Sequence, residues 1–227
     1  SLIVSREKYE KIRHDVEMEV SFLKKVRELI DRGEIVHVVK LLDSGVEKRE
    51  SMEIPYIVEE YCRKGSLYDL LKAKTHLPLE RALEIGIQVS QTLITCYEKT
   101  ELRGHGDIKP ENLLIDDSLI LKITDFHIAH IGDYTATAFC GTPGYSDFDK
   151  VDEKSDVKAV ARVIADCING LDWREKPEEP DKDLDKIKPP ELSELLYKSI
   201  SSRRRERPSM KQLRDQLLII LRELKNR

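Results

Sequence analysis

An α+β fold, in which a small mixed segment leads into a mainly helical remainder, follows from three features of this sequence. A helical stripe comes first, a pair of β-rich runs follows it, and helical periodicity then dominates to the C-terminus. At 227 residues the chain can bury a substantial core and stands at the upper end for one domain, so one domain and two lobes both fit.

Ile12, Val16, Leu23, Val26 and Ile30 recur at helical spacing, which predicts an amphipathic helix over residues 6–31 that stops near Asp31-Arg32-Gly33. Glu19 falls in the same stripe. A carboxylate there is costly unless paired, so Glu19 calls for a cationic partner elsewhere in the fold. Val36 to Leu42 and Pro55 to Tyr61 are β-branched or aromatic runs on either side of a polar stretch from Asp43 to Glu53, the pattern of two paired strands. Ser66 to Lys74 and Leu79 to Tyr97 read as helices. Leu113-Leu114-Ile115 and Ile120-Leu121-Lys122-Ile123 flank the turn Asp116-Asp117-Ser118 as a small hairpin. From Asp125 to Asp149 periodicity lapses and Gly132, Gly141, Pro143 and Gly144 intervene, which predicts a long loop of the kind that carries function. Helices resume over residues 154–169, 191–201 and 209–224.

A net charge of −4 spread over 36% charged residues provides no basic field for nucleic acid. Cys62, Cys96, Cys140 and Cys167 form no C-x-x-C pair, which argues against a zinc site and a disulfide framework. No stretch approaches the ~20 apolar residues that span a bilayer, and the N-terminus lacks the order of a signal peptide. The expectation is a soluble, cytoplasmic protein without nucleic-acid or membrane partners, of unassigned oligomeric state.

The chemistry is concentrated in His105-Gly106-Asp107-Ile108-Lys109-Pro110-Glu111-Asn112 and in Asp125-Phe126, at the two ends of the predicted hairpin. Phosphoryl transfer needs oxygen ligands for Mg²⁺, a carboxylate for the incoming hydroxyl and fixed positive charge. Asp107, Lys109, Asn112 and Asp125 supply that set. With these motifs in order, nearly the whole chain resembles a eukaryotic-type serine/threonine protein kinase domain, from the middle of its small lobe onward. The resemblance implies a protein-kinase-like α+β fold with a truncated small lobe (1–60), a hinge (61–65) and a mainly helical large lobe (66–227) holding an activation segment (125–149). It implies ATP and Mg²⁺ as cofactors and Ser/Thr of a protein as the acceptor. Asp107 then matches the proton acceptor and Lys109 the cation on the transferring phosphoryl. Asn112 and Asp125 match the Mg²⁺ ligands, and Leu114 the floor under adenine. Backbone groups of Glu60 and Cys62 would meet the base, and Glu19 matches the acid that pairs with the ATP-holding Lys. Asp156 resembles the residue that anchors the catalytic loop, and Arg207 the partner of an acid at Asp149.

Several positions depart from the family's pattern. Glu59 stands at the usually apolar gatekeeper position, where it would compete with Glu19 for the family's Lys. Gly106 replaces an Arg that commonly receives an activation-loop phosphate, so activity is expected to be independent of phosphate at Thr135 or Thr137. His127 replaces the Gly of D-F-G. As metal ligands His127 and His130 lack a further ligand set. Ser146-Asp147-Phe148-Asp149 keeps only the acid of A-P-E. The sequence contains no Gly-rich phosphate loop and no V-A-I-K lysine. Family spacing would place that Lys at or just before Ser1. The alternative function is therefore a non-catalytic, truncated kinase-like protein that docks to a partner kinase or its substrate. Small-molecule phosphotransfer is disfavoured by Gly141-Thr142-Pro143-Gly144-Tyr145. Trp173 receives no role, and Arg203-Arg204-Arg205 reads as a solvated helix end.

Overall fold

The computed structural model describes residues 6–49, 52–126, 129–131, 134–135, 142–147, 150–171 and 184–226. Expectations placed on His127, Thr137, Asp149 and Trp173 fall outside them.

Helix α1 spans Arg6–Asp31, as its periodicity predicts. Phe22, Leu23, Val26 and Leu29 bury its inner face. Gly33 ends the helix at φ +72, a left-handed turn in which its N–H and that of Glu34 reach back to Ile30 and Leu29. An antiparallel hairpin follows, β1 (Leu41–Arg49) with β2 (Met52–Glu59).

That hairpin corrects the predicted strand boundaries. Residues 43–49, expected to be a connector, form most of β1, whereas 36–40 lie outside it and only Leu41 and Leu42 of the expected strand fall within it. The apolar run was misleading because Val38 and Val39 are buried along another strand. Val38 bridges Ile123, and Ile123 exchanges backbone hydrogen bonds with His37 and Val39. Solvent on one face of the hairpin lets β1 be polar, so it carried no apolar signal.

The remainder is mainly helical: α2 (Leu67–Lys74), α3 (Leu79–Lys99), α4 (Glu153–Asn169), α5 (Pro190–Ile200) and α6 (Met210–Lys225). A reciprocal cap starts α2, with Ser66 Oγ accepting the Asp69 N–H and Asp69 accepting the Ser66 N–H. Asp152 and Ser209 start α4 and α6 in the same way. Helix α4 is the centre of this part, buried along most of its length, with α3, α5 and α6 packed against it. Gly86 on α3 permits that approach, because a Cβ there would lie 2.4 Å from an Ile164 methyl.

Strand β3 (Leu102–Gly104) leads to His105, and β4 (Leu113–Ile115) pairs with β5 (Leu121–Ile123) as the predicted small hairpin. The expected long loop after Asp125 contains two short strands, β6 (His130–Ile131) and β7 (Tyr134–Thr135), in a sheet of order β3-β6-β7. Two-residue strands bury too little to leave a periodic signal.

Candidate active site

The loop 105–112 is held from beneath by Asp156, in the first turn of α4. Its carboxylate accepts the His105 N–H at 2.7 Å, the Gly106 N–H at 2.9 Å and the Tyr97 hydroxyl at 2.6 Å. Full burial pushes this carboxyl up to about 6, against the pull of those three donors. Gly106 has φ +84, which a non-glycine side chain would adopt only with strain. His105 Nδ1 accepts the Asp107 N–H at 3.2 Å, so its ring proton lies on Nε2 and is donated to the Thr124 carbonyl at 3.1 Å.

Donors converge on the Asp107 carboxylate. Oδ2 accepts from Lys109 Nζ at 2.6 Å and Asn112 Nδ2 at 2.9 Å, while Oδ1 accepts from the Thr142 hydroxyl at 2.9 Å. Lys109 Nζ also donates to Thr142 Oγ1 at 3.0 Å. Asn112 Nδ2 further donates to the Asp107 carbonyl, which turns its amide oxygen away from Asp107. Oδ1 keeps room for one more donor, such as a hydroxyl.

Asp125 lies beyond β5, and the Thr124 N–H donates to the Asn112 carbonyl at 3.1 Å, so the two expected metal ligands belong to adjoining backbone segments. Asp125 has φ +70, a conformation that persists in a non-glycine residue only when its surroundings hold it. The Phe126 ring packs between Phe22 and His105, at centroid distances of 4.7 and 4.5 Å. Glu19 accepts the Phe126 N–H at 3.1 Å. Glu59 lies on the other side of Asp125. It accepts the Thr124 hydroxyl at 3.1 Å, and burial together with the nearby Asp125 charge raises its carboxyl above the usual range despite that bond. Asn112 and Asp125 would together offer two oxygen ligands, and no cluster of three or more His, Cys, Asp or Glu fit for a metal occurs among the described residues. Such a set fits Mg²⁺, which is usually held by one or two carboxylates while waters and phosphates complete its shell.

The hinge residues stand at the edge of this site. The Glu60 N–H donates to the Lys40 carbonyl, and its carboxylate takes the Lys40 N–H at 2.8 Å and Lys122 Nζ at 3.1 Å. Its own carbonyl is then the group it would offer a base. Cys62 is buried and its carbonyl accepts the Gly65 N–H. Leu114 is half-buried on β4, bridged to Ser66 just past that turn.

Long-range partners that sequence reasoning missed complete the site. In the sequence Thr142 stands out only as part of the run that disfavours small-molecule phosphotransfer, and Tyr97 only as the end of a predicted helix. Tyr145 donates its hydroxyl to the buried Asp166. Arg207 meets Asp147, while the Asp149 expected opposite it lies outside the described residues. Arg207 grips both Asp147 oxygens, with Arg204 and Lys158 also on that carboxylate. Burial raises the Asp147 carboxyl, but these cations outweigh it and hold the group below its usual range. Arg204 is thereby part of a network, where a solvated patch was expected.

The model of the family described as protein kinase domain matches residues 3–219. A probable serine/threonine-protein kinase of Clostridium perfringens is 31% identical over 144 residues, covering 60% of this chain and 20% of that protein. A probable LRR receptor-like serine/threonine-protein kinase of Arabidopsis thaliana is 33% identical over 161 residues, 63% of this chain and 16% of that protein. The serine/threonine-protein kinase PknB of Mycobacterium leprae is 30% identical over 172 residues, 70% of this chain and 27% of that protein. In each case the matched segment covers little more than a quarter of the relative, or less.

Proposed function

Because this chain belongs to the protein kinase domain family, we propose that it transfers the γ-phosphoryl group of ATP to Ser or Thr of a protein substrate in a Mg²⁺-dependent reaction. The observation that carries this reading is the convergence of Lys109, Asn112 and Thr142 on Asp107, beside the segment bearing Asp125. The acceptor hydroxyl donates to Asp107 Oδ1, which takes its proton as the oxygen attacks the γ-phosphorus and the bond to ADP breaks. Lys109 is placed to offset negative charge on the transferring group, and Thr142 fixes both side chains. Asn112 and Asp125 would hold Mg²⁺, which supplies charge neutralisation on the phosphates. A cytoplasmic location is part of the proposal, supported by the free, buried thiols of Cys62, Cys96 and Cys167. No helix among the described residues is long and apolar enough to cross a membrane.

A second reading, a non-catalytic kinase-like protein that docks to a kinase or its substrate, is favoured by one observation. Ile54, Tyr56 and Val58 lie on one face of β2 and stay 38–42% exposed. Thermal unfolding with ATP, with and without Mg²⁺, separates the readings, since a ligand that binds the native state raises its melting temperature. A Mg²⁺-dependent rise is expected, abolished or weakened in Asp125→Asn. Asp107→Asn should keep that rise and lose turnover by about 10²–10⁴-fold. Absence of any nucleotide response in the wild type defeats the catalytic reading.

A further inference from the structure

Asp125 is flanked on both sides by residues held by a carboxylate. Phe126 gives its N–H to Glu19 of α1, and Thr124 gives its hydroxyl to Glu59 at the end of β2, each at 3.1 Å. Thr124 is also a junction within the site, with its N–H on the Asn112 carbonyl and its own carbonyl on His105 Nε2. From this juxtaposition we propose that Glu59 is a positioning residue for the phosphoryl-transfer site, fixing through the Thr124 hydroxyl the backbone that presents Asp125.

A carboxylate at position 59 is poorly suited to packing alone. It is partly buried and shares its surroundings with the like charge of Asp125, so an apolar side chain would serve stability at least as well. What the carboxylate gains is the hydroxyl of the residue immediately before Asp125. Asp125 occupies the left-handed region at φ +70, and such a backbone keeps its conformation only if its neighbours are held on both sides. Glu19 and the packing of Phe126 hold one side. The backbone bonds of Thr124 tie the other side to the catalytic loop, and Glu59 ties it to the N-terminal hairpin.

What Asp125 grips rests on the kinase reading, whereas the positioning is a property of the ligand-free chain, and the two are tested by separate measurements. Amide hydrogen exchange at residues 124–126 and the Mg²⁺ concentration needed for ATP-dependent thermal stabilisation are compared in Glu59→Leu, Glu59→Gln and Thr124→Val. In Glu59→Leu we expect exchange at 124–126 to quicken about tenfold and the Mg²⁺ requirement to rise about tenfold, with a ligand-free melting temperature no lower than wild type. Glu59→Gln, whose amide oxygen still accepts from Thr124, stays within about twofold of wild type. Thr124→Val reproduces Glu59→Leu, and the double variant adds nothing further. Wild-type exchange in Glu59→Leu overturns the inference, as does a Glu59→Gln variant as impaired as Glu59→Leu. If the wild type shows no Mg²⁺-dependent nucleotide response, the kinase reading fails and exchange alone decides the positioning.

Discussion

The two halves of the candidate site are supported at different depths. The loop carrying Asp107 hangs on Asp156, a fully buried carboxylate on the helix around which α3, α5 and α6 pack. The backbone carrying Asp125 is held by Glu19 and Glu59, both only half-buried, from α1 and the β1–β2 hairpin. The loop of Asp107 is thus built into the main folding unit, so displacing it means disturbing the core. The backbone of Asp125 is set by elements that bury less and can shift at lower cost.

The sharpest way to break this contrast is Asp156→Ala. It strands two buried N–H groups and the Tyr97 hydroxyl, and it should cost about 4 kcal/mol in urea denaturation. Glu59→Leu, tested in the same way, should cost nothing. Equal losses in the two variants would mean that the two supports do not differ in depth.

Next in size is Arg207→Met, expected to cost about 3 kcal/mol, because the half-buried Asp147 would lose its buried, two-pronged partner while Arg204 and Lys158 remain. Asp147 titrates below its unfolded value, so its contribution is present above about pH 4 and lost as pH falls through the lower folded value. Asp147→Asn should accordingly flatten the acid limb of the stability profile. An unchanged acid limb would show that the cations around Asp147 give it no net stabilisation.

What the sequence could reveal divides along the same line. Asp107, Lys109, Asn112 and Asp125 could be picked out because the proposed chemistry demands fixed residue types close together in the chain. The helices were legible because each buries one face, and α1 begins and ends where its stripe predicts. Partners brought in from afar leave no spacing to read. Thr142 meets Asp107 across 35 residues, and Thr124 meets Glu59 across 65. Arg207 meets Asp147 across 60 residues, a partner that no spacing singles out. Most of β1 was taken for a connector because a half-solvated strand can be largely polar.

The smallest expected effect sharpens the comparison most, since it titrates the deep anchor itself. Asp156 is pushed up to about 6 in the folded chain, against about 3.9 unfolded, so between these values the native state binds the extra proton. Its contribution to stability is therefore complete below about pH 3.9 and is lost as pH rises through about 6. Tyr97→Phe removes a donor that favours the charged form, so Asp156 should titrate higher still, by roughly 0.7 pH unit for a bond worth about 1 kcal/mol. The loss of stability would then extend to higher pH. Carbon NMR of the Asp156 carboxyl from pH 4 to 8 measures this directly. The same titration in Glu59→Gln should match wild type, because that residue acts on Thr124 and not on the α4 anchor. A shift of Asp156 in Glu59→Gln would join the two supports into one coupled network and end the distinction between them.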